Sequence, residues 1–373
     1  MKPMKIAFAH SFVFLFPRGI ERYTISLASS LSKQGIDTSI VTLKEKKPIK
    51  YPKLSESVKI FTLFKTKYYA SIFCIPLYLK NFLLNRYDMI FIYFPDFGEG
   101  IAVKIISRLL KTNYGIVFHF PYEASPQRYE EFKKSGLVEK TSVLISVSKY
   151  IQKSVKNYFN RDSYIIPDGV DTHWFHKNPA AGQTLKNELG IRQNEKIILS
   201  IGALEERKGF QYIIRALPKV LIKEKDIKLI IVGEGNHKEK LINLAKELEV
   251  LLYILFVDNF EKMNAVYNVA DVFLLLSQKE AFGMVVLEAM AVELPVIVSK
   301  GSAFPEFVDE SVGKLVNETN PEEVADAILE FISNKENRLK IGKNARKRVV
   351  DKFSWDMVAE KYIKILSLFP LLL

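Results

Sequence analysis

The stretch from Val272 to Ser299, VFLLLSQKEAFGMVVLEAMAVELPVIVS, leaves little choice of architecture. The apolar run Val272–Leu276 is short enough for a buried strand. A polar turn, Ser277 to Glu280, leads through Phe282 and Gly283 into a helical pattern from Met284. Pro295 stops the helix, and Val296-Ile297-Val298 reads as the next strand. A strand, a helix and a second strand in so few residues can close only as a parallel crossover unit. Glu280 lies in the loop and Glu288 eight residues on, in the helix. With Gly283 at the helix start, the amides of Phe282–Met284 can face an anion. Carboxylates that accept sugar hydroxyls, beside amides that accept an anion, suit a nucleotide-sugar. Two glutamates at this spacing are common on any charged chain. Their position at the carboxyl end of a strand is what favours a site.

The same alternation runs through the chain. Strands are expected at Lys5–Ala9, Thr38–Leu43, Met89–Tyr93, Tyr114–Phe118, Ser142–Val147 and Tyr164–Ile166. The first helix begins near Gly19 and another opens at Ser148, a good N-cap. Residues 176–195 are polar, hold Pro179, Gly182 and Gly190, and read as a connector. The pattern then restarts with Lys196–Ile201, Ile227–Val232 and Leu252–Phe256, with a helix from Gly209 to Lys223 that Pro218 bends or ends. Two parallel sheets, each covered by helices on both faces, are implied. The domains are placed at 1–175 and 176–353. At 373 residues the chain is comfortable for two cores.

The loop Gly202-Ala203-Leu204-Glu205-Glu206-Arg207-Lys208-Gly209 carries a second signal. Arg207 and Lys208 at a strand-to-helix junction can neutralise a diphosphate, the first through paired hydrogen bonds and the second as a point charge. An exposed basic pair on an ordinary surface is the plain alternative. His119 stands at the carboxyl end of its strand, a position where ligands gather, though a satisfied polar residue is common there too.

Taken together these motifs resemble the retaining glycosyltransferases of family 4, which have the GT-B fold. E-A-F-G-x-x-x-x-E-A-M-A resembles the family's E-x7-E signature, with Ala281 after the first glutamate and Glu293 where the family has glycines. Arg18-Gly19-Ile20-Glu21 resembles its G-G-x-E loop, with Arg18 for the first glycine. The loop at 202–209 resembles G-R-L-x-x-x-K-G, with Lys208 on the lysine and Ala203 on the arginine. Pro167-Asp168-Gly169-Val170-Asp171 resembles P-N-G-V-D, with Asp168 for Asn, and is read as turn chemistry. Gly301 to Glu306 resembles G-G-x-P-E, with Ser302 and Ala303 for the glycines and a short helix expected from Glu306. The resemblance implies two Rossmann-like domains whose parallel sheets face each other across a cleft. A C-terminal helix, about 354–373, is expected to cross back to the first domain.

The implied activity is transfer of a hexosyl group, with retention, from a nucleoside-diphosphate sugar to a hydroxyl of a glycan or lipid-linked acceptor, an EC 2.4 reaction. Gly19, Arg207, Lys208, Phe282, Gly283, Met284 and Glu288 are the donor-binding candidates, with Glu288 on the ribose hydroxyls. His119 and Glu280 are the catalytic candidates, placed against the transferred sugar. Neither a D-x-D pair nor a His/Cys cluster of metal-ligand spacing occurs, so no metal and no cofactor beyond the sugar donor are expected. Two other readings fit: a catalytically silent partner subunit, which the altered positions Arg18, Ala203 and Glu293 would allow, and a nucleotide-sugar epimerase of the same fold.

Charge adds one expectation. Residues 1–175 hold 26 Lys+Arg against 14 Asp+Glu, whereas 176–373 hold 28 of each. Within residues 44–86 ten basic side chains interleave with aromatics, against two acidic ones. An anionic membrane surface suits that pattern, nucleic acid suits it poorly, and a solvated basic face is the plain alternative. The single cysteine, Cys74, fits a reducing compartment. No signal-peptide cleavage pattern and no uninterrupted membrane span are read. The expected location is cytoplasmic, with peripheral contact at the inner face of the cell membrane through the basic half. Oligomeric state is not legible.

Overall fold

Fully apolar strands decide the architecture. The computed structural model describes residues 4–10, 19–42, 54–63, 75–94, 97–258 and 262–369, with only the backbone of 97–99. Arg18, the lysines from Lys44 to Lys53, the aromatics from Phe64 to Phe73 and Cys74 lie outside the described residues. The chain divides into two compact units, 1–169 with 355–373, and 170–354.

Unit 1 is built on seven parallel strands: β1 (Lys5–Ala9), β2 (Asp37–Thr42), β3 (Lys59–Thr62), β4 (Met89–Phe94), β5 (Asn113–Phe118), β6 (Val143–Ser146) and β7 (Tyr164–Ile165). Their order is β3-β2-β1-β4-β5-β6-β7. All six residues of β4 are buried, as a strand covered on both faces requires. Helix α1 (Gly19–Lys33) links β1 to β2. Helices α2 (Ile75–Asn85) and α3 (Phe97–Leu110) flank β4. After β5 come α4 (Pro126–Ser135), α5 (Leu137–Lys140) and, beyond β6, α6 (Lys149–Phe159). Ser148 caps α6 by accepting from the Ile151 amide at 3.2 Å. The strand order reverses at β1/β4, so the carboxyl ends of these strands frame the crevice where doubly wound sheets take ligands.

In unit 2, α7 (Pro179–Glu188) occupies the segment read as a connector. Pro179 does not break this helix, because at the first helical position its missing N–H costs nothing. Asn178 caps the helix by accepting from the Ala181 amide. Then follow β8 (Lys196–Ile201), α8 (Phe210–Lys223), β9 (Ile227–Val232), α9 (Lys238–Glu247), β10 (Ile254–Val257), α10 (Met263–Asn268), β11 (Val272–Leu275), α11 (Met284–Ala291), β12 (Val296–Ser299), β13 (Gly313–Val316), α12 (Pro321–Ser333) and α13 (Lys335–Phe353). The sheet order is β10-β9-β8-β11-β12-β13, all parallel. Its reversal falls between β8 and β11. Helix α8 runs on through Pro218 to Lys223 rather than ending there.

Two expected boundaries move. Residues 170–175 belong to unit 2, because Arg346 donates to the carbonyls of Thr172 and Phe175 and the Phe175 ring packs edge-on to Tyr267. Glu306 does not start a helix; it ends a 3-10 turn, Phe304–Glu306. The chain rejoins unit 1 as α14 (Trp355–Leu366), which packs on α1.

Candidate active site

Two loops leave the switch point of unit 2, and the expected donor residues divide between them. The loop after β8 turns through a short 3-10 helix, Glu206–Lys208, into α8. Gly209 caps that helix at φ +76, and a Cβ there would sit 2.0 Å from the Leu276 carbonyl oxygen. Only glycine allows this approach. The close contact brings the first loop against the second, which leaves β11. There the Arg207 carbonyl accepts from the Gln278 amide at 2.9 Å and from Ser277 Oγ at 3.1 Å.

This stitching sets Lys208 against Glu280. The Lys208 Nζ to Glu280 Oε2 distance is 2.5 Å, and the side chains are 14% and 13% exposed. Burial alone would raise the Glu280 carboxyl. The Lys208 ammonium and its hydrogen bond, with Arg207 and Ser277 adding, more than offset this and hold it below the usual carboxylate value. The Glu280 amide donates to Ser302 Oγ at 2.9 Å. Ser302 holds a left-handed φ of 65, so a residue that replaces a family glycine accepts backbone strain and gains a hydrogen bond.

The remaining candidates separate by what they touch. Arg207 turns its Nε to Glu205 Oε2 at 2.7 Å and is 39% exposed, while its charge still acts on Glu280. Ala203, in the family's arginine position, is exposed. Gly283 caps α11 at φ +95; a Cβ there would lie 2.8 Å from the Phe304 ring and 3.3 Å from Glu280 Cγ. Phe282 is buried and stacks on Phe307 at 4.8 Å, so what it offers a ligand is its backbone. Met284 begins α11, where amides lack intrahelical partners. Glu288 is 1% exposed, and Tyr267 donates to its Oε2 at 2.7 Å. The carboxylate assigned to ribose hydroxyls therefore meets a tyrosine inside the protein, not solvent. The E-x7-E pair has two different partners, Lys208 and Tyr267, because one member lies on a loop and the other on a buried helix.

In unit 1, Gly19 opens α1 in an exposed position, and a Cβ there would meet nothing within 4 Å. Among the described residues nothing requires glycine at this point. His119 follows β5, is 8% exposed, and lies with Nε2 3.6 Å from Asp168 Oδ1. Tyr23 packs edge-on to its ring at 4.6 Å. Tyr267, Ser302, Asp168 and Tyr23 are contacts that pattern reading did not supply. Asp168 and Ser302 carried a signal, since each departs from a family motif; Tyr267 and Tyr23 carried none. Among the described residues no group of three or more His, Cys, Asp or Glu lies together as metal ligands would.

Paired doubly wound sheets with loops of this kind define the GT-B class. The family described as Glycosyltransferase Family 4 matches residues 17–174, and Glycosyl transferases group 1 matches residues 182–348. The chain belongs to glycosyltransferase family 4. An uncharacterized glycosyltransferase of Methanocaldococcus jannaschii is 33% identical over 230 residues, 60% of this chain and 59% of that protein. N-acetyl-alpha-D-glucosaminyl L-malate synthase of Bacillus anthracis is 28% identical over 264 residues, 70% of this chain and 67% of its own length. Among solved structures, Anabaena HepE in complex with UDP and glucose superposes with a TM-score of 0.80 at 19% identity, covering 98% of this chain and 99% of that one. At that identity the likeness speaks for the fold.

Proposed function

We propose that this chain transfers a hexosyl group from a nucleoside-diphosphate sugar to a hydroxyl of a glycan or lipid-linked acceptor, with retention and without a metal. The observation that carries the reading is the Lys208–Glu280 pair, set on the two loops that leave the switch point of the unit 2 sheet. A diphosphate that draws Lys208 to itself also releases Glu280, whose carboxylate can then accept sugar hydroxyls. Lys208 stabilises the charge that grows on the leaving phosphate. The amides at the start of α11 serve the same anion. His119 serves the transferred sugar. What is known of the relatives supports this chemistry: HepE was solved with UDP and glucose, and the Bacillus anthracis relative is an N-acetyl-alpha-D-glucosaminyl L-malate synthase.

Thermal melts with UDP-, GDP- and ADP-sugars test the donor. A ligand bound only by the folded state at a hundred times its Kd adds about 2.7 kcal/mol, and Lys208→Ala should abolish the shift. No stabilisation by any of the three, at millimolar concentration, would overturn the reading. A sugar product with inverted configuration would overturn retention. Peripheral membrane contact through the basic first half is part of the proposal. Among the described residues no helix is long and apolar enough to cross a membrane. Flotation with anionic liposomes at low salt should carry the protein upward, and failure to float removes the membrane contact.

A further inference from the structure

A cluster of aromatic and ionisable side chains fills the carboxyl end of the unit 1 sheet. His10 follows β1, Tyr93 lies on β4 and His119 follows β5. The His10 ring is edge-on to Tyr93 at 5.3 Å, and Tyr93 lies 5.8 Å from His119. Tyr23, from α1, stands edge-on to His119 on one side and to Trp355 at 5.4 Å on another. Its hydroxyl shares a hydrogen bond of 2.7 Å with Tyr362. Both α14 residues thus support the tyrosine that supports the histidine.

Within this cluster the imidazole of His119 and the carboxylate of Asp168 hold buried atoms that lack partners. Among the described residues neither ring nitrogen of His119 has a hydrogen-bond partner, and Asp168 Oδ1 has none. The residues are 8% and 6% exposed. A buried acceptor or donor left unmade is costly. The nearest relief is mutual, since Oδ1 and Nε2 are already 3.6 Å apart. Catalytic hydrogen bonds are often long in a resting structure and tighten when substrate is present. The backbone beside Asp168 is fixed, because a Cβ at Gly169 would sit 2.7 Å from the Trp355 ring. The turn read as simple loop chemistry is therefore clamped by α14.

We propose that Asp168 is the positioning residue for His119: Oδ1 accepts the Nε2–H, and this leaves Nδ1 with its lone pair to accept a hydroxyl of the substrate. Which nitrogen of an imidazole carries the proton is set by the bond the other makes. Relatives with P-N-G-V-D have an amide here, which can turn to donate or accept. An ionised carboxylate only accepts. Asp168 thus selects one tautomer without ambiguity. The substrate part of this inference rests on the function proposed above; the contact between Asp168 and His119 does not.

The test separates the two. The full-length protein, with 15N-histidine, is examined by long-range proton–nitrogen correlation, with His119→Gln assigning the signals among the five histidines. Wild type should show the Nε2–H tautomer at His119. Asp168→Leu, which keeps bulk and removes the acceptor, should give the Nδ1–H form or a mixture. Its kcat should fall about ten- to a hundredfold, the value of a hydrogen bond to a charged group, with the donor KM within threefold. Asp168→Asn, whose amide oxygen can rotate to accept, should recover most of the kcat and the wild-type tautomer. In a His119→Gln background Asp168→Leu should change kcat less than twofold, whereas a merely structural role would add its full loss. Unchanged His119 nitrogen signals in Asp168→Leu, or an additive loss in the double variant, overturns the proposal. If Asp168→Leu does not fold, an Nδ1–H His119 in the wild type overturns it alone. If wild type turns over no nucleotide-sugar, the functional reading has failed, and the tautomer still decides whether Asp168 positions His119.

Discussion

Lys208 and Glu280 should respond unequally to removal, and the inequality follows from their surroundings. Lys208→Ala leaves a carboxylate that is 13% exposed with Arg207 and Ser277 as its remaining help. Breaking a fully buried pair costs about 3–5 kcal/mol. This pair keeps a small exposed edge, and Glu280 keeps some partners, so about 2–3 kcal/mol of unit 2 stability is expected at pH 7.5. Glu280→Gln should cost less, about 1 kcal/mol, because a long lysine can carry its ammonium toward water. The coupling of the double variant should come out near 1–2 kcal/mol.

The pH dependence has a definite sign. In wild type the Glu280 carboxyl lies below its unfolded value, so its contribution is complete above that value and is lost as pH falls through the folded one. Without Lys208 burial dominates and the sign reverses. The deficit of Lys208→Ala should therefore shrink as pH is lowered from 7.5 toward 5. Only two tryptophans occur, Trp174 in unit 2 and Trp355 in unit 1. Urea denaturation followed by Trp174 in a Trp355→Phe background therefore reads unit 2. Binding gives the second arm. UDP affinity should drop about tenfold or more in Lys208→Ala, but rise in Glu280→Gln, which removes the group competing for the ammonium. A coupling below 0.5 kcal/mol, or equal weakening of UDP by both variants, would refute the reasoning.

Three further outcomes are expected. Burial depresses the His10 imidazole from its ordinary 6.5 to about 4; the unfolded chain takes up the proton first, so unit 1 should lose up to about 3 kcal/mol as pH falls from 6.5 to 4, and His10→Phe should flatten that slope in urea denaturation at stepped pH. Glu293 holds φ 66 in the left-handed region, where a non-glycine residue pays about 1 kcal/mol; Glu293→Gly should raise the melting temperature despite losing its attraction to Lys177, and a lowered one would mean that attraction is the larger effect. Ala203→Arg should tighten diphosphate binding about tenfold by calorimetry, and no gain would show that the exposed position does not reach the anion.

What the sequence made legible was whatever depends on period and punctuation. The apolar runs of β4 and β11, the glycine before α8 and the serine before α6 each act through their own backbone or nearest neighbours, and each was readable. Illegible were contacts that only the folded sheet order creates. β8 and β11 are far apart in sequence and adjacent in the sheet, so nothing local announced that Lys208 would lie against Glu280. Tyr267 beneath Glu288 and Tyr23 against His119 belong to the same class. A third group was visible as a deviation without a cause. Glu293 and Ser302 stood where relatives have glycine, and the reason is a left-handed backbone that local pattern cannot display. The protein keeps both strained residues. Ser302 gives a physical reason: its hydroxyl holds the Glu280 amide, and glycine could not. A departure from a family motif is therefore not by itself a sign of lost function. At Ser302 it adds a bond to the site, and at Asp168 it replaces an amide that can turn by an acceptor that cannot.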